Sequence, residues 1–306
     1  RGSLRKIVHE HHAHISKKLN IYEESISKAI KGLGYRKMGE LITANLYRIP
    51  QGVSEAILED YTDPEYKPVT VKLNPSLNGI DNSQKYFKLY NKAKATIKKA
   101  TPFKDSALEE INYLQTILIS IDQASNTEEL KEIHNELIEQ HYLKGKQPEI
   151  SLKSKAKINP NKIPKAKKRQ PEEQSRPHIY YSKTNCKVIV GRNNKQNDKM
   201  TWRESAPGDM WLHVKEIPGS HVIVPLKNEE EFPDDETLLD AATLAIYFSQ
   251  ARGSSNVAVD YTHVKQIKKP NGAKPGMVVY EQNWSLYLTP KQEDIDRLLT
   301  SESEEE

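Results

Sequence analysis

A narrow apolar stripe restricts this chain more than any other feature. Leu4, Val8, His11, Ile15, Leu19, Tyr22, Ile26, Ala29 and Leu33 follow one another at intervals of 3 or 4 for eight steps. That spacing keeps the residues on one line of a helix, and a line so narrow is the seam of a coiled coil rather than the broad face of a globular helix. The stripe continues through Tyr35, Met38, Ile42 and Leu46 before Pro50 and Gly52 stop it. The pattern predicts one helix of about 45 residues, about 65 Å long at the usual rise.

A second stripe runs through Tyr86, Tyr90, Ala93, Ile97, Ala100, Ala107, Ile111, Leu114, Leu118 and Ile121. Pro102 falls inside it, which predicts a kink, or a break with a restart near Asp105. Two such helices bury their seams by lying antiparallel, so residues 1–143 read as an antiparallel coiled-coil arm. The joining segment is rich in Pro, Asp and Asn and holds one strand-like run at 68–73, which predicts a small β tip at about 51–82. A third, shorter helix is expected over 127–142, its start capped within Thr127-Glu128-Glu129-Leu130. An arm of this kind has no enclosed place for chemistry, and its expected role is reach. His9, His11, His12 and His14 do not share one face, and Glu10 lies on the wrong one, so solvated or seam histidines are expected rather than a metal site.

The net charge of +4 is unevenly spread. Residues 1–143 carry +1, residues 144–176 carry +8, and residues 177–300 carry −1. The middle stretch also holds Pro148, Pro160, Pro164 and Pro171 and almost no large apolar side chains. It cannot bury enough surface to offset chain entropy, which predicts an interdomain linker. Its densest part is Lys165, Lys167, Lys168 and Arg169. One reading of these is a self-repelling solvated tether; the other is a polyanion-seeking arm whose binding falls steeply with salt. Residues 301–306 form an acidic tail. No run approaches the roughly 20 apolar residues of a membrane helix, so membrane insertion is not expected. Cys186 is the single cysteine, which excludes an internal disulfide framework and a cysteine-based zinc site and fits a reducing compartment. The chain opens Arg1-Gly2-Ser3, as an expressed fragment would.

Residues 177–300 alternate strand-like runs with turn signals, which predicts a compact α+β domain with a mostly antiparallel sheet. Strands are expected over 178–182, 186–190, 210–217, 221–226, 257–268, 277–280 and 285–288. One strong helix, over 236–252, is expected to be capped by Asp235, to bury Leu238, Leu239, Ala242, Ala245, Ile246 and Ser249, and to close at Gly253. Shorter helices are expected over 194–204 and 292–299.

Five segments of this half carry a resemblance. They are Val190-Gly191-Arg192-Asn193-Asn194-Lys195-Gln196-Asn197, Asp209-Met210-Trp211-Leu212-His213-Val214, Ile217-Pro218-Gly219-Ser220-His221-Val222, Val259-Asp260-Tyr261-Thr262, and Lys268-Lys269-Pro270-Asn271-Gly272-Ala273-Lys274-Pro275-Gly276. In this order, across about 177–290, they resemble the C-terminal RNA-binding-type domain of the NFACT family. In the first half, Gly39-Glu40-Leu41-Ile42-Thr43-Ala44-Asn45-Leu46 is similar to the family's coiled-coil middle region. The resemblance implies a non-enzymatic binding protein that docks on a large ribosomal subunit carrying tRNA, in quality control of stalled nascent chains. It also implies an alternative, an anchorless bacterial surface adhesin for host fibronectin. A cytoplasmic location goes with the first, and display without a covalent anchor with the second. The family's N-terminal domain and helix-hairpin-helix region are not expected within this sequence, and the resemblance places the family's acidic-basic pair for tRNA engagement in that part, so weak tRNA recruitment is expected.

The residues themselves suggest where RNA could bind. Arg192, Asn193, Asn194, Lys195, Gln196 and Asn197 combine amides with two cations at a helix entrance, which suits base edges and phosphates. A polar loop whose amides cap turns is the alternative. Lys265, Lys268, Lys269 and Lys274, presented by turns at Asn271 and Gly272, form a second basic group suited to a phosphate backbone. Trp211 and His213 share one strand face and could stack a base, unless Trp211 is core under the 236–252 helix. A two-residue turn at Pro218-Gly219 would put His213 and His221 on opposite faces of their hairpin. A hydrolase built on His213, His221 and Asp209 is therefore the weakest reading. No catalytic group, cofactor or metal is expected.

Overall fold

The computed structural model describes residues 1–145, 175–227 and 231–302. They form two units, one of Ala13–Glu110 and one of Arg1–His12 with Ile111–Glu306.

In Ala13–Glu110 two long helices meet through their stripes. Helix α1 (Gly2–Gly32) is followed by α2 (Tyr35–Ala44), strands β1 (Glu55–Glu59) and β2 (Pro68–Lys72), and helix α3 (Gly79–Gln123). Tyr22 stacks on Phe103 with ring centroids 5.8 Å apart, and Tyr35 lies 5.7 Å from Tyr86. Numbers climb on one side and fall on the other, so the pair is antiparallel, as the stripes predict. A Cβ on Gly32 would stand 2.9 Å from the Cβ of Ala93, so only glycine permits this approach.

Two local expectations are corrected. The first helix does not run on to residue 46; it breaks after Gly32 and restarts at Tyr35. Gly32 and Gly34 flank the break, and each glycine costs a helix interior about 1 kcal/mol relative to alanine. The second helix, in contrast, runs through Pro102 as one element, so of the two expected alternatives the break with a restart near Asp105 is the one removed. Packing of Ala93, Ala100 and Ala107, all buried, outweighs the missing N–H. The Thr101 hydroxyl donates to the Ile97 carbonyl at 2.8 Å beside it. The β tip is a hairpin in which Glu55 faces Lys72 and Glu59 faces Pro68. Leu58 and Val71 point from it onto Leu41 and Ile42 of α2.

The other unit is built on an all-antiparallel six-stranded sheet. In chain order come α4 (Thr127–Glu139), β3 (His178–Tyr181), β4 (Lys187–Val190), α5 (Asn194–Lys199), a π turn (Met200–Glu204), β5 (Met210–Val214), β6 (Val222–Val224) and α6 (Asp235–Tyr247). Next are β7 (Val257–His263), β8 (Ile267–Lys268), β9 (Val279–Tyr280), β10 (Trp284–Leu288) and α7 (Gln292–Thr300). The sheet order is β10-β7-β5-β6-β4-β3, and β8 and β9 form a separate two-stranded ribbon.

Alternation along β5 separates the two faces. Met210, Leu212 and Val214 join Val188, Val190, Val222 and Val224 in the core beneath α6. Trp211, on the reverse face, joins Ile223, Met200, Val264 and Ile267 in a second cluster. Helix α6 is capped by Asp234, not Asp235, through a bond from the Thr237 amide, and it ends at Tyr247 rather than at Gly253. Leu239, expected in the core, is exposed, while Asp240 is buried. Asp240 accepts from the Lys183 amide at 2.9 Å and from Arg297 of α7, so this helix is covered on more than one side.

Candidate nucleic-acid interface

The amide-rich segment at 192–197 is a built element rather than a free loop. Asn193 caps α5, its side-chain oxygen accepting from the Gln196 amide at 2.9 Å. Gln196 reaches back to accept from the Arg192 amide at 3.0 Å, one residue ahead of the cap, so the helix start is tied from both sides. The Gln196 amide group donates to the Ser175 carbonyl at 2.7 Å. Asn197 accepts from the His221 amide at 3.2 Å. Gly276, at φ +78°, lets the chain pass so close that a Cβ there would lie 2.7 Å from the Asn194 side-chain oxygen.

What remains of this segment's donors meets one face of α4. Arg192 pairs with Glu129. Asn193 donates to Glu132 at 2.7 Å, Asn194 to Glu136 at 3.0 Å, and Lys195 to Glu139 at 2.7 Å. The four carboxylates are spaced 3, 4 and 3 apart, so they form a single stripe. Glu129 also accepts from the Ser125 amide at 2.7 Å. Burial would raise its pKa, but that amide and the Arg192 guanidinium outweigh burial and hold it below the usual carboxylate value. Glu136 is more deeply buried, and burial raises its pKa to about 7 against the pull of the Tyr113 hydroxyl and the Asn194 amide. Asn193, Asn194, Gln196 and Asn197 are buried, which corrects their expected place on an open surface.

The aromatic candidate is corrected as well. Trp211 is fully buried, and not by α6 but on the opposite sheet face. His213 stacks on it at 5.6 Å, and the rings of His213 and His221 are only 5.7 Å apart. The histidines share a face because Leu212 pairs with Val222 across the hairpin, which sets position 213 opposite 221. His221 is buried with both ring nitrogens occupied. Its Nε2–H donates to the Gly276 carbonyl at 3.1 Å, and its Nδ1 accepts from the Thr201 hydroxyl at 2.9 Å. Burial lowers its pKa to about 3, so it stays neutral, and burial lowers that of His213 too. Asp209 accepts from the Ala206 and Leu226 amides at 2.8 and 3.0 Å, which fixes loops on either side of β5.

The second basic group is divided. Lys268 and Asn271 are exposed. Lys269 pairs with Asp198. The Lys274 ammonium lies 4.6 Å from the ring centres of both Tyr113 and Tyr142, a cation–π contact within this unit. Lys165, Lys167, Lys168 and Arg169 lie outside the described residues. Of the early histidines, His11 donates from Nε2 to the Tyr142 carbonyl at 3.0 Å. Among the described residues, no group of three or more His, Cys, Asp or Glu could hold a metal ion, and no helix is long and apolar enough to cross a membrane.

Sequence reasoning missed two features. The acidic stripe of α4 is present in the sequence as a 3-4-3 spacing, but nothing in the sequence distinguishes it from an ordinary solvated face. The π turn exposes Trp202 and Arg203 beside an open cleft of about 920 Å³ that Lys131, Lys195, Lys199 and Lys269 also line. A tryptophan's exposure cannot be read from sequence when the turn that presents it has an irregular period.

Residues 1–156 match the family description "NFACT N-terminal and middle domains", and residues 176–282 match "NFACT protein RNA binding domain". The chain is 36% identical over 284 residues to the Rqc2 homolog RqcH of Bacillus subtilis, covering 93% of this chain and 46% of that protein. It is likewise 36% identical over 281 residues to the RqcH of Streptococcus suis, again with 46% of that protein covered. The chain thus spans about half the length of the curated relatives it matches. Among solved structures, the C-terminal part of the fibronectin/fibrinogen-binding protein of Streptococcus suis aligns with a TM-score of 0.58 at 30% identity, covering 95% of this chain and 97% of that one. With both halves matched in order, the chain belongs to the NFACT family.

Proposed function

We propose that this chain is a non-enzymatic RNA-binding part of a ribosome-associated quality-control factor, and that it engages RNA of the large ribosomal subunit. The match of residues 176–282 to an RNA-binding domain carries this reading. The exposed Trp202 and Arg203 of the π turn and the basic run at 165–169 support it chemically. Co-sedimentation with large ribosomal subunits, with affinity falling as salt rises, is the expected outcome. Replacing Lys165, Lys167, Lys168 and Arg169 together by Ala should flatten the salt dependence. No co-sedimentation at low salt would overturn the reading.

The likeness to a fibronectin/fibrinogen-binding protein supports a second reading, capture of fibronectin strands by the sheet edge at β10. Trp284 and Tyr287 are exposed on that strand. Retention of the chain on immobilised fibronectin at physiological salt tests it, and loss of retention in a β10 edge variant such as Ser285→Pro would place the contact there.

A further inference from the structure

The structure assigns a base-stacking site for single-stranded RNA to the π turn, with Trp202 as the platform and Arg203 as the phosphate contact. This inference rests on the RNA-binding reading and gives it residues. Within the matched domain, the side-chain amides of 193–197 are engaged by α4, by the helix cap, by Ser175 or by the His221 amide, and Trp211 and His221 are buried. The chemistry an unstacked nucleotide needs is an exposed aromatic face next to a cation. The π turn supplies both.

The turn is held rigidly from below. Met200 is buried beside Trp211 and Ile223 in the second core cluster. The Thr201 hydroxyl is fixed by the neutral His221 ring, and the Ser205 amide closes the turn on the Met200 carbonyl at 3.0 Å. With positions 200 and 201 buried, 202 and 203 must face outward. Trp202 keeps 37% of its surface exposed and lines the cleft. Arg203 has no hydrogen bond or ion pair among the described residues, whereas the neighbouring cations are paired, Lys199 with Glu204, Lys195 with Glu139 and Lys131 with Glu128. The free guanidinium is the cation that a phosphate can take without displacing a carboxylate. Arg203 included, acidic and basic side chains are balanced around the cleft, which suits one or two splayed nucleotides better than a duplex backbone.

The two residues should act differently in a salt titration of the whole chain against a labelled single-stranded RNA of about ten nucleotides. Trp202→Ala should weaken binding about five- to a hundredfold without changing the slope of log affinity on log salt, and Trp202→Phe should retain most of it. Arg203→Ala should reduce that slope by about 0.7, the loss of one single-strand phosphate contact. If the unmodified chain binds the RNA and both alanine variants bind with its affinity and slope, the site is refuted while the RNA reading stands. If the unmodified chain binds neither this RNA nor ribosomal subunits, both fall together.

Discussion

Two stripes with the same helical spacing do opposite kinds of work here. Along α1 the positions at intervals of 3 and 4 are apolar, and the neighbouring helix accepts them by close approach, with Gly32 against Ala93. Along α4 the positions 129, 132, 136 and 139 are glutamates, and each needs its own donor from 192–195. An apolar seam is non-directional and tolerates substitution of similar volume. A carboxylate stripe is satisfied one bond at a time, responds to pH, and leaves a buried charge when one partner is lost. Periodicity alone identifies a buried helix face; the chemistry of the stripe decides how exacting that face is.

The largest expected effect comes from breaking the acidic stripe at its most buried ion pair. Glu129→Ala takes from the partly buried Arg192 its closer carboxylate, leaving only Glu302 at 3.8 Å, and should cost about 3 kcal/mol in urea unfolding. A smaller effect sharpens the contrast through pH. Glu136 has its pKa raised to about 7, above an unfolded value of 4.5. Its contribution is therefore complete below about 4.5 and is lost as pH rises through 7, at about 1.4 kcal/mol per unit of pKa difference. Glu136→Gln removes that dependence, so its stability relative to the unmodified chain should climb between pH 5 and pH 8. His221 has the opposite sign, its contribution being complete above about 6.5 and eroding toward 3, but it is unchanged in this comparison and cancels. The smallest effect belongs to the seam. Ile15→Val should cost about 1 kcal/mol, equally at both pH values. A seam variant whose cost changed with pH would blur the distinction between the stripes.

The stripes made the antiparallel helix pair legible, because a long 3-4 repeat has few other uses. The break at Gly32 and Gly34 was harder to read, since the same apolar spacing continues across it. On α6 the pattern misled: Leu239 fits the amphipathic stripe yet is exposed, because Arg297 and the Lys183 amide draw Asp240 inward instead. At the site, the hydrogen-bonding chemistry of 192–197 was plain in the sequence. Its partner was not, because the carboxylates it meets come from α4, some 55–65 residues earlier in the chain. The hidden face of Trp211 and the open face of Trp202 differ through a sheet reverse side and a π turn, and neither leaves a local signature.

In the proposed site RNA meets this domain at Trp202 and Arg203 of the π turn, while the amide row stays engaged with α4. Photocrosslinking the intact chain to single-stranded RNA, with the attached peptides mapped by mass spectrometry, tests this directly. Within the sheet domain, adducts are expected at Trp202, Arg203 and neighbouring Lys199. Adducts concentrated on Asn193, Asn194 and Asn197, with Trp202 unmodified, would contradict it.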